Sequence, residues 1–108
     1  MCRDVDENMR PVDATDYFNC LVPEIWCSVK VSHAPPDTKV KAQWIYISGE
    51  STHLHNFLFY ETVATTEGTR YIGFRCPLTE VWWPTGHYEI VLYIDDEEEL
   101  SVPFTVWR

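Results

Sequence analysis

Trp83-Pro84-Thr85-Gly86-His87-Tyr88-Glu89-Ile90-Val91-Leu92-Tyr93-Ile94 runs from a tight Pro/Gly turn into an alternating segment that stops at Asp95-Asp96, and its reading decides the fold. Pro84 fixes φ and Gly86 can take the positive φ that a sharp corner requires. Tyr88 brings an apolar ring whose hydroxyl can satisfy a backbone group at that corner. Beyond it Tyr88, Ile90 and Leu92 share one face, the period of a half-buried strand. The stretch predicts the corner of a β structure, and Pro84, Gly86 and Tyr88 are assigned structural roles.

Working outward, Asp95 to Glu99 predicts an acidic turn, followed by a last strand through Leu100, Val102, Phe104 and Val106. Upstream, Arg70 to Cys76 predicts a strand with Ile72, Phe74 and Cys76 inward, closed by Pro77. His53 to Thr65 has an ambiguous period; its β-branched tail and the Thr66-Glu67-Gly68-Thr69 turn favour a hairpin, with a short helix near His55 to Glu61 as the alternative. Lys39 to Ile47 alternates around Trp44, the expected centre of the core. Glu24 to Ser32 alternates with Ile25, Cys27, Val29 and Val31 inward and Trp26 outward, and the Pro35-Pro36 turn separates these two strands. Asp16 to Val22 predicts a short first strand or edge. Met1 to Thr15, polar and without period, predicts a flexible acidic arm, so the domain proper spans 16–108.

The 108 residues suffice for one core and no second domain, and aromatics at 15% must be buried or form a recognition surface. A formal charge of −9 with eight scattered Lys and Arg disfavours nucleic acid and anionic membranes as partners. No apolar run is long enough for a transmembrane helix, so direct membrane insertion is not expected. No basic-then-apolar leader opens the chain. The expectation is therefore a cytoplasmic protein, or a mature or excised domain that acts outside the cytoplasm or at the cell surface. Cys2, Cys20, Cys27 and Cys76 permit three full pairings. Cys20 and Cys27 can close a small loop across Pro23, or all can remain buried thiols. Cys2 followed by a polar stretch also suits a bacterial lipoprotein, whose mature chain starts at a lipidated Cys.

The order of an alternating strand, a Pro-rich turn, a strand with a central Trp, Trp-Pro-x-Gly-x-Tyr, an acidic hairpin and a last strand ending Pro-Phe-Thr-Val resembles the small immunoglobulin-like domains of bacterial and archaeal surface proteins and lipoproteins. Residues 34–44 (Ala-Pro-Pro-Asp-Thr-Lys-Val-Lys-Ala-Gln-Trp) and Trp83 to Tyr88 carry the likeness, which covers Asp16 to Arg108. It implies an all-β immunoglobulin-like β-sandwich of about seven antiparallel strands with Greek-key connections. The antibody-type pattern places a Cys two residues after the corner Tyr, where this chain has Ile90. The resemblance thus implies no inter-sheet disulfide, with Cys27 packing as a small hydrophobe. Pro84-Thr85-Gly86 is also similar to one loop of chagasin-type cysteine-protease inhibitors, whose other two loop motifs do not follow.

Few residues point to chemistry. His53-x-His55 has a spacing that can bind zinc or copper given a third ligand, and none is near. Asp95 to Glu99 lacks the spaced ligands of a calcium loop and reads as a solvated turn. Ser28, Ser48 and Ser51 lack a nucleophile elbow, and no phosphate loop occurs. Neither catalysis nor a cofactor is expected. Trp26, Trp82 and Trp83 are the candidate ligand-binding residues, because an outward Trp26 and two loop indoles would expose stacking surface; Trp107 is a further indole near the end. The reading is a non-catalytic module that contacts a protein or acts as a spacer, with a carbohydrate-binding module and a protease inhibitor as alternatives.

Overall fold

The computed structural model describes residues 1–50, 56–77 and 83–108. Seven strands occur there, and no helix: β1 (Cys2–Val5), β2 (Pro11–Ala14), β3 (Tyr17–Asn19), β4 (Glu24–Gly49), β5 (Phe57–Pro77), β6 (Gly86–Ile94) and β7 (Glu97–Trp107). They hydrogen-bond in the order β2-β1-β4-β6-β7-β3, with β5 paired to β4 off this path. The sheet is mixed rather than wholly antiparallel, because β3 runs parallel to β7 through Tyr17↔Thr105 and Asn19↔Trp107. Residues 20–96 lie between those two strands, ample for the crossover that a parallel pair needs.

The count of seven matches the sequence reading, but the pieces differ. Two expected strands on either side of Pro35-Pro36 form the single β4, and Arg70 to Cys76 continues the segment before it as the single β5. The turn residues produce bends instead of breaks. Register shifts fall between Val31 and Ala34 and between Ala34 and Thr38. His33 and Asp37 there have φ of 56° and 62°. Extra residues on one strand of a pair bend it and raise its twist without ending it. Before the bend, Ile25, Cys27 and Val29 face Cys76, Phe74 and Ile72; after it, Val40, Ala42 and Trp44 face Ala64, Thr62 and Tyr60.

The expected loose arm over residues 1–15 is corrected. β1 and β2 form a hairpin with Cys2↔Ala14 and Asp4↔Val12, and Cys2 pairs with Trp26 on β4. Polar composition hid it, because a hairpin lying on an existing sheet needs few apolar residues of its own. Asp6 closes its tip by accepting the amides of Asn8 and Arg10 at 2.8 and 2.9 Å.

One cluster of buried side chains draws on both arms of the bent ribbon. Ile25, Cys27, Val31, Phe74 and Cys76 come from the first arm, and Val40, Ala42, Trp44 and Tyr46 from the second; Phe18, Cys20, Trp83, Tyr88, Ile90, Leu92, Phe104 and Val106 complete it. Trp44 is fully buried, its ring edge-on to Phe104 at 5.9 Å. All four cysteines are free and buried, so the loop-closing pair Cys20–Cys27 is absent. Burial drives the Cys27 thiol up to about 11 and the Cys76 thiol up to about 12, and it raises that of Cys2 as well. These thiols are protonated near neutral pH and pack as small hydrophobes.

The Pro84–Tyr88 corner is held by two tyrosines. The Tyr88 hydroxyl donates to the Pro84 carbonyl at 2.6 Å and the Tyr46 hydroxyl to that of Thr85 at 3.1 Å. Gly86 has φ 149° and lies directly opposite Gly49. A Cβ on Gly49 would run into the Thr85 carbonyl, and one on Gly86 into the Ser48 carbonyl. The two glycines therefore permit a backbone approach that no other residue would allow.

Candidate functional site

The tryptophans singled out from sequence do not form an exposed platform among the described residues. Trp83 is 4% exposed, and its indole N–H donates to the Val22 carbonyl at 3.0 Å. Its ring lies edge-on to Phe59 and Tyr88. It belongs to the core because Trp83 N–H also bonds the Cys20 carbonyl, tying the segment before the corner to the chain beyond β3. Trp26 does face away from the core, as its alternation requires, but it is half-buried with its indole nitrogen enclosed. The β1–β2 tip covers it. Ser28 Oγ donates to the Met9 carbonyl at 2.6 Å, and a Cβ at Gly73 would lie 3.0 Å from Met9 Sδ and 3.2 Å from the Trp26 ring. Trp82, His53 and His55 lie outside the described residues. Cys2 is fully buried with its thiol 3.6 Å from the Trp26 carbonyl, and lipidation would require that sulfur to leave this position.

Exposed apolar surface gathers elsewhere, on the outward face of the second arm. Cross-strand rows define it: Val63, Lys41 and Tyr93 form one, Glu61, Gln43, Val91 and Ser101 the next, and Leu58, Ile45, Glu89 and Pro103 a third. A fourth row places Tyr17 beside Thr105 and His87, with Trp107 two positions along. Val63 is 50% exposed, Leu58 44%, Tyr17 63% and Trp107 50%. Leu58 reaches this face because the register shift between Trp44 and Ile45 leaves Phe59 as an extra residue, which packs against the core.

Charged groups are interspersed on this face. Lys41 Nζ sits 4.8 Å from the Tyr93 ring centroid, and Gln43 Nε2 donates to Glu61 at 2.9 Å. Glu61, Glu89 and Glu98 supply negative charge around the apolar rows. At one end, the Asp95-Asp96 turn carries φ of 49° and 70°, the two positive values of a tight two-residue hairpin. Lys39 pairs with Asp96 at 3.2 Å there. At the opposite end Glu50 accepts the Thr85 amide at 2.6 Å, the main cause that lowers its carboxyl, with Arg108 adding to it.

Among the described residues no group of three or more His, Cys, Asp or Glu side chains is placed to hold a metal ion. They include no helix long and apolar enough to cross a membrane.

No family model matches the chain, and no curated protein matches it. A solved structure does: the 1.4 Å crystal structure of an uncharacterized protein from Bacillus anthracis str. Ames, at TM-score 0.52 and 13% identity, covering 99% of this chain and 86% of that one. At that identity the likeness concerns the fold alone.

Sequence reasoning passed over Tyr17, Leu58 and Val63. Leu58 and Val63 lie in the segment of ambiguous period, where a bulge breaks the alternation that would have shown which side chains point out. The pairing of Tyr17 with β7 depends on a partner about ninety residues away and leaves no local signal.

Proposed function

We propose that this chain is a non-catalytic module with an immunoglobulin-like β-sandwich architecture, of the kind carried by prokaryotic surface proteins, and that it contacts a protein partner. The contact runs through the outward face of β5, β4, β6, β7 and β3. The sandwich reading is supported by the single core shared between the two arms of the bent ribbon, and by the Tyr88–Pro84 bond at the corner. The observation that carries the functional reading is that exposed Leu58, Val63, Tyr17 and Trp107 all lie on one face of the sheet, the first two on β5 and the others on β3 and β7. Aromatic and aliphatic anchors within a charged rim are the composition of a contact surface. Glu61, Glu89 and Glu98 suit a partner whose apolar patch is rimmed by basic groups.

The test is site-specific photo-crosslinking in cells that express the protein. A photoreactive residue at Val63 or Trp107 is expected to give a discrete crosslinked protein band, and one at Lys30, on the first arm, none. Equal labelling from all three positions, or from Lys30 alone, would refute the assignment of this face. A glycan partner would instead give no protein adduct and a shift on a carbohydrate array that is lost in Trp107→Ala.

A further inference from the structure

Where the β4–β5 ribbon bends, an open polar notch of about 220 Å³ is lined by Asp37, Thr65, Thr66, Glu67 and Arg70. The apolar contact face does not include it. Thr66 is 6% exposed, and its hydroxyl has neither solvent contact nor a hydrogen-bond partner. Thr38, its partner across the ribbon, is equally buried, yet its hydroxyl donates to the Pro35 carbonyl at 2.6 Å. A buried hydroxyl left without a bond is costly, so the Thr66 group marks a place where a polar atom is missing. Arg70 Nε donates to the Glu67 carbonyl at 3.2 Å, which fixes the guanidinium and leaves its two terminal amino groups for another acceptor. Among the described residues no ion pair engages Arg70, Asp37 or Glu67.

We infer that this notch binds a small zwitterion of the α-amino-acid class, with its carboxylate on Arg70 and the Thr66 hydroxyl and its ammonium group between Asp37 and Glu67. The mixture of charges selects that class. A simple anion would meet two carboxylates in an already acidic protein, and a metal cation would meet a guanidinium that cannot lose its charge. A zwitterion presents both signs at fixed separation, and its planar carboxylate fits the arginine fork.

The test is a titration followed by amide NMR shifts of the intact chain, adding glycine, L-glutamate, acetate or methylammonium separately to about 10 mM, above the Kd of about 1 mM expected for few polar contacts. The expected result is a saturable shift confined to residues 37–38 and 65–70 with an amino acid, and not with acetate or methylammonium. Arg70→Gln is expected to weaken it at least about tenfold. Thr66→Val keeps the shape and removes the unpartnered hydroxyl, so it should raise the melting temperature of the free protein while weakening binding. Three results would overturn the inference: no saturable shift with any amino acid; equal response to acetate; or unchanged binding in a folded Arg70→Gln protein.

Discussion

Tyr88 holds its corner with both ends of its side chain: the hydroxyl bonds Pro84 while the ring stacks on Phe104 at 5.0 Å and meets Tyr46 edge-on at 4.9 Å. Tyr88→Phe keeps the ring contacts and strands one carbonyl. It should lower unfolding free energy by about 1.5 kcal/mol in urea titration, and an unchanged midpoint would mean the bond contributes nothing. The buried thiols make a second claim at this scale. The pKa of Cys27 and Cys76 is raised from 9.0 to about 11 and about 12, so their contribution to stability is complete below pH 9 and is lost as pH rises through those values. Tyr88 is shifted in the same direction. Each thiol should add a slope of about −1.4 kcal/mol per pH unit once its unfolded form ionises. Urea midpoints should therefore hold to about pH 9 and fall beyond it, and Cys27→Ala should flatten the fall. Trp44, Cys27 and Tyr88 were legible in sequence because each sits in a clean alternation. The burial of Trp83 was not, since its position follows from bonds to Cys20 and Val22, more than sixty residues earlier.

Individual strands were readable only where neighbours did not reshape them. Pro35-Pro36 and Thr66 to Thr69 read as stops, whereas the chain uses them as bends in one ribbon, with positive φ at His33 and Asp37 absorbing the change in direction. The β1–β2 hairpin left no pattern at all, because its stability comes from the surface it lies on. Removing residues 1–14 should therefore expose Trp26, shift tryptophan emission to longer wavelength and cost about 2 kcal/mol, the scale of uncovering a half-buried indole. The same truncation in a Trp26→Phe background should give no emission shift. A truncated protein with unaltered emission and stability would show that the hairpin covers nothing.

For the molecule as a whole, the β class was visible from periodicity. The site was not, because it is assembled from β5, β4, β6, β7 and β3, and the β4–β6 and β3–β7 pairings join residues distant in sequence. The tryptophans drew attention as the residue type richest in contact area, yet two of them serve the interior and the inner hairpin. What is left facing outward is the row surface from Val63 to Trp107. The direct measurement is quantitative recovery of the crosslinked partner with wild type and with a Leu58→Glu/Val63→Glu variant, alongside the urea midpoint of each. Both positions are about half exposed, so the variant should keep its midpoint within about 0.5 kcal/mol and lose partner recovery at least about tenfold. Recovery equal to wild type in the folded variant would contradict the assignment of this face as the working surface.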